Sequence, residues 1–137
     1  MATNNASDFG PLLDIASGGE LSRFILALKV ALARTGTAGT LVFDEIDHGV
    51  GGATASAIGS RLARVAGTAQ VLVVTHSPQV AAAAMHQFHI AKPDGHTEVR
   101  LLDHAGRSLE IARMLSGARI TSEARAQAEK LLSASAG

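Results

Sequence analysis

The sequence predicts an α/β fold: a short, mostly parallel sheet with flanking helices and a β-hairpin near the C-terminal end. Three observations carry that expectation. Two apolar runs, 40–45 and 70–75, are separated by a segment with helical spacing, which favours parallel strands joined by a right-handed crossover. Hydrophobic residues make up 47% of the 137-residue chain but aromatic ones only 3%, with no Trp or Tyr, so the core is aliphatic. Between two further short runs, Pro93-Asp94-Gly95-His96 is a strong turn signal.

The elements follow in order. Residues 1–11 are polar and end in Gly10-Pro11, a disordered lead-in before a domain spanning 12–137. Leu21, Phe24, Ile25, Leu28 and Leu32 recur at helical spacing over 20–34. Thr35 to Gly39 breaks that helix, and 40–45 reads as a fully buried strand. After a glycine-rich loop at 48–52, Ala55, Ile58, Leu62 and Val65 share one face of a helix over 53–66, which Gly67 ends. Residues 70–75 form a second buried strand. Ser77-Pro78 reads as an N-cap followed by Pro at the first helical position, opening an Ala-rich helix to Met85. Residues 87–92 and 97–102 pair as the hairpin, and helices over 108–116 and 122–133, divided near Gly117, close the chain.

Composition narrows the function. The formal net charge is zero, so the chain lacks the basic footprint of a nucleic-acid-binding surface; Arg61, Arg64, Arg107, Arg113 and Arg119 could gather into a local patch on folding, but a solvated helix face is the better reading. There is no Cys, which excludes disulfides and thiolate metal sites. No apolar run reaches the roughly 18 residues of a bilayer-spanning helix, and the N-terminus has neither the charge nor the apolar stretch of a secretory signal. The expectation is a soluble intracellular protein.

Three short stretches carry chemistry. Ser17-Gly18-Gly19-Glu20 opens the first helix. Unpaired N–H groups and the positive end of the helix dipole attract a phosphate there, and glycines let it approach the backbone. The same residues also fit a capping box, with Ser17 as cap and Glu20 reaching back. Two consecutive glycines weaken a helix start, and capping alone does not call for them. Asp44-Glu45 ends a buried strand, at the carboxyl edge where open α/β sheets bind ligands. One carboxylate there can hold Mg²⁺ through water and the next can deprotonate an attacking water; an N-cap or surface-turn role is the plainer alternative. Asp47 adds a third carboxylate nearby. Thr75-His76 ends the second strand, and His76 is expected on the same edge, either to bond a terminal phosphate or to serve structure alone. The pair His86 and His89 and the isolated His48, His96 and His104 are weaker signals.

In this order and spacing the three stretches resemble the head of an ATP-binding-cassette ATPase. Ser17-Gly18-Gly19-Glu20-Leu21 looks like the signature motif, Leu41-Val42-Phe43-Asp44-Glu45 like Walker B with its catalytic glutamate, and His76 like the switch histidine. The likeness is nearer to the SMC-like branch and, within it, the RecN family. Its residues are Ile15 to Arg23, Phe43 to Asp47 followed by Gly49 to Gly52, Val74 to Ala81, and Glu110 to Leu115. The resemblance implies a P-loop NTPase-like C-terminal lobe with ATP and Mg²⁺ as ligands, in a cytoplasmic, nucleoid-associated bacterial protein of DNA double-strand break repair and recombination. Asp44 would hold Mg²⁺, Glu45 would be the general base and His76 would sense the γ-phosphate. Ser17, Gly18, Gly19 and Glu20 would reach the γ-phosphate of a second head in trans.

The implied partners are an N-terminal lobe carrying Walker A, a second head in a homodimer, and DNA through the complete protein, with no membrane. The chain departs from the pattern in two ways: His48 stands where the family has a small hydroxyl residue, and no G-x-x-x-x-G-K-[ST] occurs. The chain alone is therefore expected neither to bind ATP tightly nor to hydrolyse it; as an ATP hydrolase it would act only in the complete head. Two other readings stand beside this one: a non-catalytic lobe that docks on another head through its signature face, and a metal-dependent hydrolase using Asp44, Glu45, Asp47 and His76.

Overall fold

A computed structural model describes residues 39–44, 46–47, 49–117 and 119–135. The expected helix over 20–34 lies outside them, as do Ser17, Gly18, Gly19, Glu20, Glu45 and His48. The described elements are β1 (Thr40–Asp44), α1 (Gly52–Ala66), β2 (Gln70–Val74), α2 (Pro78–Ala82), β3 (Phe88–Ala91), β4 (Glu98–Leu101), α3 (His104–Ser116) and α4 (Ser122–Ser135). The α/β expectation holds: β1 and β2 pair in parallel, and β3 and β4 form the antiparallel hairpin.

Helix α1 carries the chain from the end of β1 to the start of β2 and covers one face of that pair. Fully buried Phe43 packs there with Ile46, Ala55, Ile58, Leu62 and Val80, while Leu41, Val71 and Val73 close in around them. The opposite face differs from the expectation of strands buried on both sides. Val42, Leu72 and Val74 are 58%, 47% and 53% exposed. A continuous apolar run says that a strand is built to be covered on two faces. It does not say that both covers are supplied by nearby sequence, and here α1 supplies one.

Helix α2 joins two cores, packing on α1 on one side and on α3 and α4 on the other. Its contact with α1 is close enough to need glycine: a Cβ on Gly59 would lie 2.9 Å from that of Ala83 and 3.2 Å from the Gln79 carbonyl oxygen. The expected start is observed, with Pro78 in the first turn and the Ser77 hydroxyl accepting from the Val80 N–H. The expected end is not, because α2 stops at Ala82 rather than Met85. The Arg107 guanidinium donates to the carbonyls of Ala82, Ala84 and Met85 at 3.4, 2.6 and 3.3 Å. An alanine run favours helix on propensity alone, and a tertiary donor to its carbonyls outweighs that preference.

The second core consists of Ala82, Ile111, Ala112, Ala124, Ala128 and Leu132, mostly small side chains that let helices lie close. Helix α3 begins at His104, four residues before the expected 108, because the Asp103 carboxylate accepts from the Gly106 N–H at 2.7 Å. Gly117, at φ 74°, ends α3 as expected. In the hairpin Phe88 stands opposite Leu101 and Ile90 opposite Val99. The strands are a residue shorter at each end than expected, although Leu102 N–H still donates to the Gln87 carbonyl at 2.9 Å. Asp94 and Gly95 make the turn with φ of 50° and 82°, the left-handed region that Gly and Asp tolerate best.

Candidate functional site

The site forms where β1 and β2 end. Their parallel register sets Thr40 opposite Gln70 and carries through to Asp44 opposite Val74. Both chains therefore leave the sheet on the same rim, one into Ile46-Asp47 and the other into Thr75-His76-Ser77. Asp44 is exposed there, and His76, two residues beyond the register partner of Asp44, is exposed as well. These are the two sequence-selected site residues that the described structure includes, and it brings them to one edge.

Asp47 behaves differently from its neighbour Asp44. It is 3% exposed, the one charged residue in the described core. Its Oδ2 accepts from the Thr75 hydroxyl at 2.5 Å and from the Ser77 N–H at 3.0 Å. The Ser77 N–H also reaches Thr75 Oγ1 at 2.9 Å, which closes a triangle. The Ser77 hydroxyl donates to Gln79 Oε1 at 3.0 Å. Asp47 Oδ1 is buried with no hydrogen-bond partner among the described residues. The Asp47 carbonyl accepts from the Val50 N–H at 3.2 Å, and Gly49 makes the intervening turn at φ 71°.

Sequence reasoning noted Asp47 as a third carboxylate and as a ligand in the metal-dependent hydrolase reading. What it missed is the partnership with Thr75 and Ser77, the two residues flanking His76. Hydroxyl-bearing neighbours on both sides of a strand-end histidine, with an acid three residues beyond the end of the adjacent strand, were the available signal.

Elsewhere the polar contacts are structural. His89 Nε2 lies 3.9 Å from Glu110 Oε2, and Arg113 grips the same carboxylate at 2.6 Å and 2.9 Å. The hydrogen bond from Arg113 holds the Glu110 carboxyl below its ordinary range, against the upward push of burial, and in return Arg113 is raised. Burial pushes the Arg107 guanidinium down. Among the described residues no group of three or more His, Cys, Asp or Glu could hold a metal ion. Among the described residues Asp44 is the exposed carboxylate on the rim, and a single carboxylate suits Mg²⁺ when phosphate oxygens and waters complete its shell.

Comparison with known proteins bears on the family and the fold. No family model matches the chain. The DNA repair protein RecN of Mycobacterium leprae is 54% identical over 126 residues, which is 90% of this chain and 22% of that protein. RecN of Xylella fastidiosa is 48% identical over 96% of this chain and 24% of its own length. RecN of Deinococcus radiodurans is 50% identical over 85% and 21%. The chain thus spans less than a quarter of the length of these curated relatives. A solved structure described under "Structural biochemistry of ATP-driven dimerization and DNA stimulated activation of SMC ATPases" superposes with a TM-score of 0.66 at 21% identity, covering 83% of this chain and 70% of that one. Over most of its length the chain is therefore a homologue of a segment of the RecN DNA repair proteins, with the P-loop NTPase-like fold of an SMC ATPase head lobe.

Proposed function

We propose that residues 12–137 are the C-terminal lobe of the ATPase head of a RecN-like protein acting in DNA double-strand break repair and recombination. Within the complete head this lobe contributes to ATP hydrolysis and to dimerisation with a second head. Asp44 is the Mg²⁺ ligand, and the ion neutralises phosphate charge when bound. Glu45 takes the proton of the attacking water. His76 bonds the γ-phosphate, and Ser17, Gly18, Gly19 and Glu20 approach the nucleotide held by the other head. The phosphate-cradling loop comes from an N-terminal lobe, because none is encoded in these 137 residues. DNA is contacted through the complete protein, in keeping with a lobe of zero net charge. No described helix is long and apolar enough to cross a membrane, and the proposed place of action is the cytoplasm, at the nucleoid.

The observation that supports this reading best is the register of β1 and β2. Parallel strands with Asp44 opposite Val74 open an acid-bearing loop and an imidazole-bearing loop onto one edge, the edge at which α/β sheets bind their ligands. Hydrolysis of a phosphoanhydride depends mainly on positioning and charge stabilisation, and such an edge is suited to both.

The test uses the full-length parent protein. Glu45→Gln is expected to lower steady-state ATP turnover by about 100-fold or more, the span of general-base catalysis, while nucleotide binding persists. Ser17→Arg is expected to block nucleotide-dependent head association and leave ATP binding to a single head intact. Undiminished turnover in Glu45→Gln would remove that residue from its role.

A further inference from the structure

We propose that Asp47 and Thr75 form a latch that positions His76. The inference rests on the reading of His76 given above and deepens it. The observation behind it is that one buried carboxylate oxygen holds both neighbours of His76: it accepts from the Thr75 hydroxyl and from the Ser77 N–H. The residue between them is thereby fixed to the loop that follows Asp44 and Glu45, so the acid side and the imidazole side of the rim move as one piece. Bonds to a charged acceptor in a buried setting are among the stronger ones.

Stability alone accounts poorly for this carboxylate. Asp47 is 3% exposed, and its second oxygen has no partner among the described residues, an arrangement that costs folding energy. A neutral side chain would fill the space with less penalty. Asp47 and Thr75 are positioning residues in this proposal: they act through His76 and do not touch the nucleotide.

The experiment compares variants of the full-length protein in steady-state ATP turnover. Asp47→Asn and Thr75→Val are each expected to lower kcat about 10-fold with KM for ATP within about twofold, since a displaced group costs rate more than binding. Thr75→Ser, which keeps the hydroxyl donor, is expected to restore turnover to within about twofold of the parent. The double variant is expected to fall about as far as either single variant, as coupled residues do. Thermal melting of each variant checks folding, and if Asp47→Asn does not fold, the Thr75→Val and Thr75→Ser pair carries the test. The latch is overturned by near-parental kcat in both single variants, by failure of Thr75→Ser to rescue, or by a double variant about 100-fold down, the additive result. His76→Ala separates the two levels. A turnover unaffected by that substitution defeats the reading of His76 itself, whereas lost turnover in His76→Ala beside intact Thr75→Val defeats the latch alone.

Discussion

The β1–β2 sheet and the β3–β4 hairpin are held in place by different forces. Among the described residues each is two strands wide and each leaves one apolar face exposed: Val42, Leu72 and Val74 on the first, Phe88, Ile90, Val99 and Leu101 on the second. The first sheet is anchored by its other face, where Phe43 is sealed under α1. The hairpin has no buried strand residue, and its polar contact with α3 sets His89 Nε2 of β3 at 3.9 Å from Glu110 Oε2. Apolar burial of a Phe is worth several kcal/mol, whereas a partly exposed ion pair is worth a fraction of one. The difference teaches that the rim stands on a sheet with one sealed face, whereas the hairpin carries little burial of its own.

Substitution in the sealed face should widen the contrast most. Phe43→Ala is expected to destabilise the chain by about 3–5 kcal/mol, while Val42→Ala on the adjacent open face costs under about 1 kcal/mol. Denaturant titration of both variants checks this, and equal losses would erase the distinction between the faces. Gly59→Ala tests the α1–α2 contact. Its new methyl meets Ala83 and the Gln79 carbonyl, and the expected loss is about 1–3 kcal/mol from overpacking, read as a lowered thermal midpoint.

The smallest effect belongs to the hairpin side. Glu110 has a lowered folded pKa, chiefly through Arg113, so its contribution is present above the ordinary Glu range and is lost as pH falls through the depressed folded value. Arg113 is half exposed, which limits Glu110→Gln to under about 1 kcal/mol at neutral pH. The parent and this variant should converge in stability on acidification below the carboxylate range; a gap that persists there would mean packing and not charge.

Much of this arrangement was legible in the sequence. Leu41-Val42-Phe43 and Val71-Leu72-Val73-Val74 announce strands because each run is short, apolar and bounded by turns. Gly117 and Pro93-Asp94-Gly95 mark their breaks through backbone chemistry that few other residues share. The rest depended on partners far along the chain. The early end of α2 is set by Arg107, more than twenty residues away. The first turn of α3 shows no apolar periodicity, and its start is fixed by the Asp103 cap. Within the site, the exposed rim positions of Asp44 and His76 follow from strand direction alone. The bonds of Asp47 do not, since spacing along one strand carries no information about which hydroxyl the neighbouring strand presents.

The Asp47 bonds span 28 and 30 residues of sequence. A contact of that separation closes only after the whole crossover through α1 has been laid down, because the entropy of so long a loop opposes it until the sheet and helix are docked. Assembly of the rim is therefore expected late in folding, after the crossover through α1 is complete, so that the edge forms as a whole or not at all.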